Sequence, residues 1–106
     1  MRPSLSITNP WSGEIALELP LDDPAAIDAK VAAAELAAKA WSGTTLRERI
    51  SLVERFLEVC AAEREAVALS ITRQMGKPIS EALGEMGTMI ARARMMIDLA
   101  PDALAD

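Results

Sequence analysis

Several side chains in this sequence could do chemistry. Cys60 is the lone cysteine and could act as a thiolate nucleophile. That role needs a lowered pKa and an accessible, electropositive setting. Cys60 instead falls mid-helix beside Val53, Phe56 and Leu57, in a chain with no histidine, which marks it as a buried structural cysteine. Gly76-Lys77 could belong to a phosphate-cradling loop. The pattern GxxxxGK[ST] fails, because position 71 is Ile and position 78 is Pro. No G-x-G-x-x-G is present, so Gly76 reads as a helix stop. Glu81 and Glu85 stand one helical turn apart and could form a general acid/base pair. Such a pair needs burial and split pKa values, whereas these two read as a solvated face or as partners for an arginine. Arg49 lies in the middle of an apolar arc, where an unpaired guanidinium is costly. It is expected to meet a carboxylate, with Glu81 and Glu85 the candidates, or helix-end carbonyls; the alternative is that it snorkels to solvent. Met86, Met89, Met95 and Met96 read as adaptable core filler. No residue is therefore assigned a catalytic, cofactor-binding or metal-binding role.

The elements that position these groups are legible. Leu5–Thr8 and Ile15–Leu19 alternate apolar and polar residues at the strand period, with the turn formers Asn9-Pro10-Trp11-Ser12-Gly13 between them. This spacing predicts a β-hairpin with a longer loop, which must pack on something to persist. Asp22-Asp23-Pro24 opens a first helix with an Asx cap and Pro at the first position. Its face is Ile27, Val31, Ala34, Ala38 and Trp41, Glu35 and Lys39 make an outward i,i+4 pair, and Ser42-Gly43 stops it. Thr45-Leu46-Arg47-Glu48 is a capping-box pattern that opens a second helix. Ile50, Leu52, Val53, Phe56, Leu57, Val59 and Cys60 make that helix apolar over more than half its girth, which predicts packing on two sides.

Arg64 interrupts the stripe, and Val67, Ala68, Ile71 and Met75 form a new face; periodicity alone does not distinguish a break at 61–65 from a bend. Gly76 supplies a left-handed helix stop and Pro78 suits the first turn of the next helix. That fourth helix is expected to run from Ile79 until Pro101 ends it, leaving 101–106 frayed. Its inward face is Ile79, Leu83, Met86, Ile90, Ala93, Ile97 and Ala100. Gly84 and Gly87, each costing about 1 kcal/mol relative to Ala, suggest close approach of another backbone.

Composition bounds the function classes. The 106 residues make one small domain, with 1–20 as the hairpin and 22–106 as a helical region. The fold class is mainly α: a short N-terminal β-hairpin followed by three or four amphipathic helices. Hydrophobic residues are 51% of the chain but aromatics only 3%, so the core must be aliphatic and rich in Ala and Met. A net charge of −5 argues against a nucleic-acid surface, which needs clustered Lys and Arg. No apolar run reaches the length of a membrane span and no secretory h-region is present, so no membrane partner is expected. With one cysteine, an internal disulfide is excluded, and a cytoplasmic location is expected. Helices one and three are Ala-rich and judged too short to cover the apolar faces of two and four, so a homo-oligomer through apolar helix faces is expected.

Gly-Lys-Pro-Ile-Ser-Glu-Ala at 76–82, followed by Gly84-Glu85-Met86, resembles the Gly-Lys-Pro-[Leu/Ile]-x-Glu-Ala-x-x-Glu segment of NAD(P)-dependent aldehyde dehydrogenases. Asn9-Pro10-Trp11-Ser12-Gly13-Glu14 is similar to that family's Asn-Pro-x-[Ser/Thr]-Gly-Glu opening. Ala38-Lys39-Ala40-Trp41 and Arg47-Glu48-Arg49 resemble its signals between the first two helices. Gln74 departs from the glutamate often found two positions before Gly-Lys-Pro, which puts a local ion pair in doubt. The resemblance covers nearly the whole chain and implies the N-terminal segment of an enzyme several times longer. The family oxidises an aldehyde to a carboxylic acid, passing hydride to NAD or NADP. It uses a cysteine thiolate far downstream, a glutamate base, an oxyanion-holding asparagine and a Rossmann-like domain. None of these maps onto a residue here, so the resemblance implies no cofactor in this chain, and NAD or NADP in the parent enzyme. It also favours a break rather than a bend after the second helix. The alternative from another class is a stand-alone helical oligomerisation or interaction module without enzymatic activity.

Overall fold

The computed structural model describes residues 2–105. Two strands, β1 (Ser4–Thr8) and β2 (Ile15–Pro20), pair antiparallel. Four helices follow: α1 (Pro24–Ser42), α2 (Leu46–Ala62), α3 (Arg64–Met75) and α4 (Ile79–Ala103). This is the mainly helical architecture with an N-terminal hairpin that the sequence predicts.

The hairpin register places Leu5 opposite Leu19 and Ile7 opposite Leu17, so the apolar positions share one face. A bulge follows, because Thr8 pairs with Ile15 and leaves Ala16 as the extra residue. The Leu21 N–H donates to the Pro3 carbonyl at 2.8 Å and closes the open end. β2 lies against α3, where Ala16 and Leu17 line a hollow with Ala66, Leu69 and Arg73.

Local chemistry sets each helix start. The Asp23 carboxylate accepts from the Ala26 N–H at 2.8 Å, with Pro24 at the first helical position. Thr45 and Glu48 form the complete capping box at α2: the Glu48 N–H donates to the Thr45 hydroxyl at 3.2 Å, and the Thr45 N–H donates to the Glu48 carboxylate at 2.7 Å. Each cap contributes about 1 kcal/mol. The stops also follow the sequence. Gly43 ends α1, and Gly76 ends α3 at φ +69°, the left-handed conformation.

The helix breaks after α2 at a single residue. Glu63 takes φ −92° and ψ +10°, while its N–H still donates to Val59 and its carbonyl accepts from Val67. Arg64, which interrupts the stripe, donates instead to the Leu83 carbonyl on α4 at 3.0 Å. The core is small: Leu57 and Cys60 from α2, Ala68 from α3, and Ala82 and Met86 from α4 are buried, flanked by Ile71, Leu83, Met89 and Ile90.

Several expectations are corrected. Pro101 does not end α4, which continues to Ala103. So near the terminus a missing N–H forfeits only one ladder bond, and the Leu104 N–H still donates to Ala100. The expected frayed tail is therefore helical through Ala103, and its last residue, Asp106, lies outside the described residues. Among the described residues Gly84 and Gly87 face no second backbone: a Cβ at Gly84 would meet nothing within 4 Å, and one at Gly87 would meet only the Arg64 guanidinium at 3.9 Å. The Glu35–Lys39 pair does not form; among the described residues the ion pairs are Lys30–Asp22 and Lys77–Glu85. For an exposed pair, side-chain entropy offsets most of the Coulomb gain. Met95, Met96 and Ile79 are exposed rather than core, since α3 is too short to reach the far end of α4 and Ile79 sits in its first turn.

The largest departure concerns α1. It is 19 residues long, not short, yet it buries no residue, and Ile27, Val31 and Trp41 stay exposed. The second packing side expected of α2 is open as well: Leu52, Val53, Phe56 and Val59 are exposed. The chain accordingly has a radius of gyration of 18.2 Å, against about 13 Å for a compact domain of this length. Its accessible surface is 8419 Å², whereas a folded monomer of this mass exposes about 5,800 Å². The uncovered sides of α1 and α2 contribute to the difference, as do exposed apolar residues of the hairpin, α3 and α4.

Candidate functional site

The stretch between α3 and α4 is built from two segments far apart in sequence. Gly76 turns left-handed so that its N–H donates to the Thr72 carbonyl at 2.9 Å. Pro78 then extends at ψ +141° and caps α4. Lys77 reaches along α4 to the Glu85 carboxylate. Onto this corner sits the hairpin loop. The Asn9 Oδ1 accepts from the Trp11 N–H at 2.9 Å and, more loosely, from the Ser12 N–H at 3.4 Å. The Asn9 N–H donates to the Glu14 carbonyl and the Gly13 N–H to the Asn9 carbonyl, both at 2.8 Å. This Asx turn presents its backbone to Gly76. A Cβ there would lie 3.0 Å from Asn9 Oδ1, from Pro10 Cγ and from the Trp11 nitrogen. Asn9, Trp11, Thr72, Gly76, Lys77 and Pro78 frame a cleft of about 360 Å³, with Trp11 87% exposed at its edge. The Thr72 Oγ1 is buried without a hydrogen-bond partner among the described residues.

Sequence reading singled out both segments but not their meeting. They are separated by more than sixty positions, and no local periodicity reports a contact of that range. Thr72 was passed over too, because a threonine near a helix end carries no signal of its own.

The other singled-out residues are placed apart from one another. Cys60 is 8% exposed and packs with Ala68, Ala82 and Met86. Arg49 meets neither Glu81 nor Glu85. Its Nε donates to the Thr44 hydroxyl at 2.8 Å and its Nη2 to the Trp41 carbonyl at 2.9 Å, with the guanidinium 5.3 Å from the centre of the Trp41 ring. The helix-end carbonyl is the partner because Arg49 lies in the first turn of α2, beside the corner where α1 ends. Gln74, at the position of doubt, donates to Ser70 at 2.9 Å within α3. Among the described residues, no three His, Cys, Asp or Glu side chains gather to hold a metal ion. The Thr45 backbone N–H, and then its hydroxyl, hold the Glu48 carboxyl below its ordinary value of 4.5. Glu48 is thus an ionised cap.

The corner at Gly76 joins the hairpin loop to the α3–α4 turn. Residues 2–105 match the sequence model of the aldehyde dehydrogenase family, all but the two ends of the chain. The chain belongs to the aldehyde dehydrogenase family. It is 36% identical over 89 residues to N-succinylglutamate 5-semialdehyde dehydrogenase 1 of Caulobacter vibrioides, covering 84% of this chain and 19% of that protein. It is 34% identical over 95 residues to N-succinylglutamate 5-semialdehyde dehydrogenase of Burkholderia orbicola, covering 90% of this chain and 20% of the other. Against 3-sulfolactaldehyde dehydrogenase of Pseudomonas putida it is 33% identical over 84 residues, or 79% of this chain and 17% of the relative. The matched part is the N-terminal region of these aldehyde dehydrogenases. The chain spans about a fifth of the length of the curated relatives it matches. No helix among the described residues is long and apolar enough to cross a membrane.

Proposed function

We propose that this chain is the N-terminal structural segment of an NAD(P)-dependent aldehyde dehydrogenase, a cytoplasmic oxidoreductase. The enzyme oxidises an aldehyde to a carboxylic acid with water as the oxygen donor and NAD or NADP as the hydride acceptor. The observation that carries this is the family match over residues 2–105. The open apolar sides of α1 and α2 support it, since monomeric proteins rarely leave such faces in water. The segment acts as one small structural unit: a hairpin pinned at Gly76 and helices that present apolar surface to the rest of the enzyme. Without that cover, the same faces draw copies of the chain together as a homo-oligomer.

The chemistry is assigned to residues outside this chain. A nicotinamide cofactor needs a strand-to-helix glycine turn whose N–H groups meet the pyrophosphate, and an acidic residue for the ribose. The residues present do not fit it. β1 and β2 form an antiparallel hairpin, Gly76 faces the Asn9–Trp11 turn, and Lys77 is paired with Glu85. Cys60 is enclosed by aliphatic side chains. The relatives named above act on two different aldehydes at nearly equal identity, so the proposal is made for the reaction class.

The intact mass of the protein in its source cells tests this. A mass several times the 11.4 kDa of this chain is expected; one near that value would favour a stand-alone module. Calorimetric titration of the isolated chain with NAD and NADP adds a second check. No saturable micromolar binding is expected, and finding it would place a cofactor site in this segment.

A further inference from the structure

We propose that α1 is a strap that melts and re-forms on its own, between two fixed anchors, while the hairpin and α2–α4 stay folded. Every α1 residue except Ala26 is exposed. Among the described residues, no other element packs along its length. The buried apolar groups, Leu57, Cys60, Ala68, Ala82 and Met86, all belong to α2, α3 and α4. Unwinding α1 therefore takes no contact from the core, which is the condition for a local opening cheaper than global unfolding.

Both ends of α1 are anchored by bonds that do not need its helix. Before it, the Leu21 N–H donates to the Pro3 carbonyl at 2.8 Å, and the hairpin sits on α3 and on Gly76. After it, the Trp41 carbonyl accepts from the Thr44 hydroxyl at 2.7 Å and from Arg49 Nη2 at 2.9 Å. The nineteen residues of α1 span roughly 28 Å as a helix, at about 1.5 Å each. A flexible coil of the same length spans roughly 25 Å. The unwound strap thus bridges the same gap, and neither anchor has to move.

What keeps α1 helical between those anchors is local. Asp23 caps its start, Pro24 holds the first position, and nine of its nineteen residues are alanine. These features favour helix, yet an uncovered helix of this length is only marginally stable in water. The free chain therefore has a firm part, α2–α4 with the seated hairpin, and one helix near its own melting point. The consequence rests on the enzyme reading: α1 takes its full order as it meets the rest of the enzyme, so docking and folding of this helix are coupled.

The test is amide hydrogen exchange of the full chain, at low micromolar concentration and at about ten times that. Amides in the middle of α1 are expected to be protected less than about tenfold, and those around Met86 on α4 at least about a hundredfold more. Ala33→Pro breaks α1 at an exposed position. It is expected to abolish the α1 protection and part of the helical circular dichroism. Cys60, whose buried neighbours are Ala68, Ala82 and Met86, should still react with a thiol reagent at the wild-type rate. Ala33→Gly, a milder breaker, should lower α1 protection about fivefold and also leave Cys60 unchanged. Core-like protection of α1 at the lower concentration overturns the inference, as does a Cys60 rate raised more than about tenfold in either variant. Protection of α1 that climbs with concentration supports it, because cover is then what orders the helix. None of these outcomes depends on the mass in source cells that tests the enzyme reading.

Discussion

Gly76 does two jobs at once, and replacing it with alanine separates them. The first is conformational: at φ +69° a Cβ costs roughly 1–2 kcal/mol. The second is steric. The new methyl would sit 3.0 Å from Asn9 Oδ1, Pro10 Cγ and the Trp11 nitrogen, so tight that the loop must give by a few tenths of an ångström. None of the three yields cheaply. Asn9 Oδ1 is tied to the Trp11 and Ser12 N–H groups, Pro10 is a ring, and the third atom is backbone. Forcing the loop aside costs about 1–3 kcal/mol more, by analogy with overpacked cores. Gly76→Ala should therefore lose about 2–5 kcal/mol in all. Gly13→Ala is the internal control: its φ is +75°, but nothing lies within 4 Å of its Cβ, so only the roughly 1–2 kcal/mol of backbone strain applies. Gly43→Ala, at an ordinary φ of −82°, should be near neutral. Urea unfolding of the three variants, read by far-ultraviolet circular dichroism, measures all of this at one protein concentration. Thermal melts should show a matching order, at about 4–8 °C per kcal/mol for a domain of this size. If Gly76→Ala and Gly13→Ala lose the same amount, the hairpin loop is not seated on the α3–α4 corner and the reasoning fails.

Three further outcomes follow from the same geometry. Arg49→Ala should lose about 1–3 kcal/mol, because it removes the charged hydrogen bonds to the Trp41 carbonyl and the Thr44 hydroxyl and a cation–π contact; Arg49→Lys should recover only part, and urea unfolding of the pair checks it. Glu48 has its folded pKa depressed by Thr45, so its cap contributes stability above the unfolded value of about 4.5 and loses it as pH falls through the lower folded value. Melts of wild type and Glu48→Gln between pH 6 and pH 3 should therefore converge on acidification, and a constant gap would refute the cap's charge dependence. Cys60 is enclosed, so native protein should react slowly with a thiol reagent and denatured protein quickly; Cys60→Ser should lose about 1–3 kcal/mol for a buried hydroxyl without a partner.

What the sequence alone determined is what depends on neighbours within one or two turns. Asp23-Pro24, the Thr45–Glu48 box, Gly43 and Gly76 set helix limits because caps and stops are made by residues three or four apart. Alternation set the strands, and the repeated apolar positions of α4 from Leu83 to Ala100 set its inner side. Burial of Cys60 was expected from apolar helical neighbours, but Val53 and Phe56 among them are exposed, and Ala68, Ala82 and Met86 of α3 and α4 are what enclose it. The tertiary structure alone decided everything that joins distant residues. The Asn9–Trp11 turn on Gly76, and Arg64 on the Leu83 carbonyl, leave no periodic trace. Arg49 took the Trp41 carbonyl rather than a glutamate because the α1–α2 corner brings that carbonyl closer than any carboxylate. A helix can be apolar on two sides by pattern, but which side is covered depends on where its neighbours lie. Here α4 took the Leu57 and Cys60 side of α2, and α1 left the Phe56 side open to solvent.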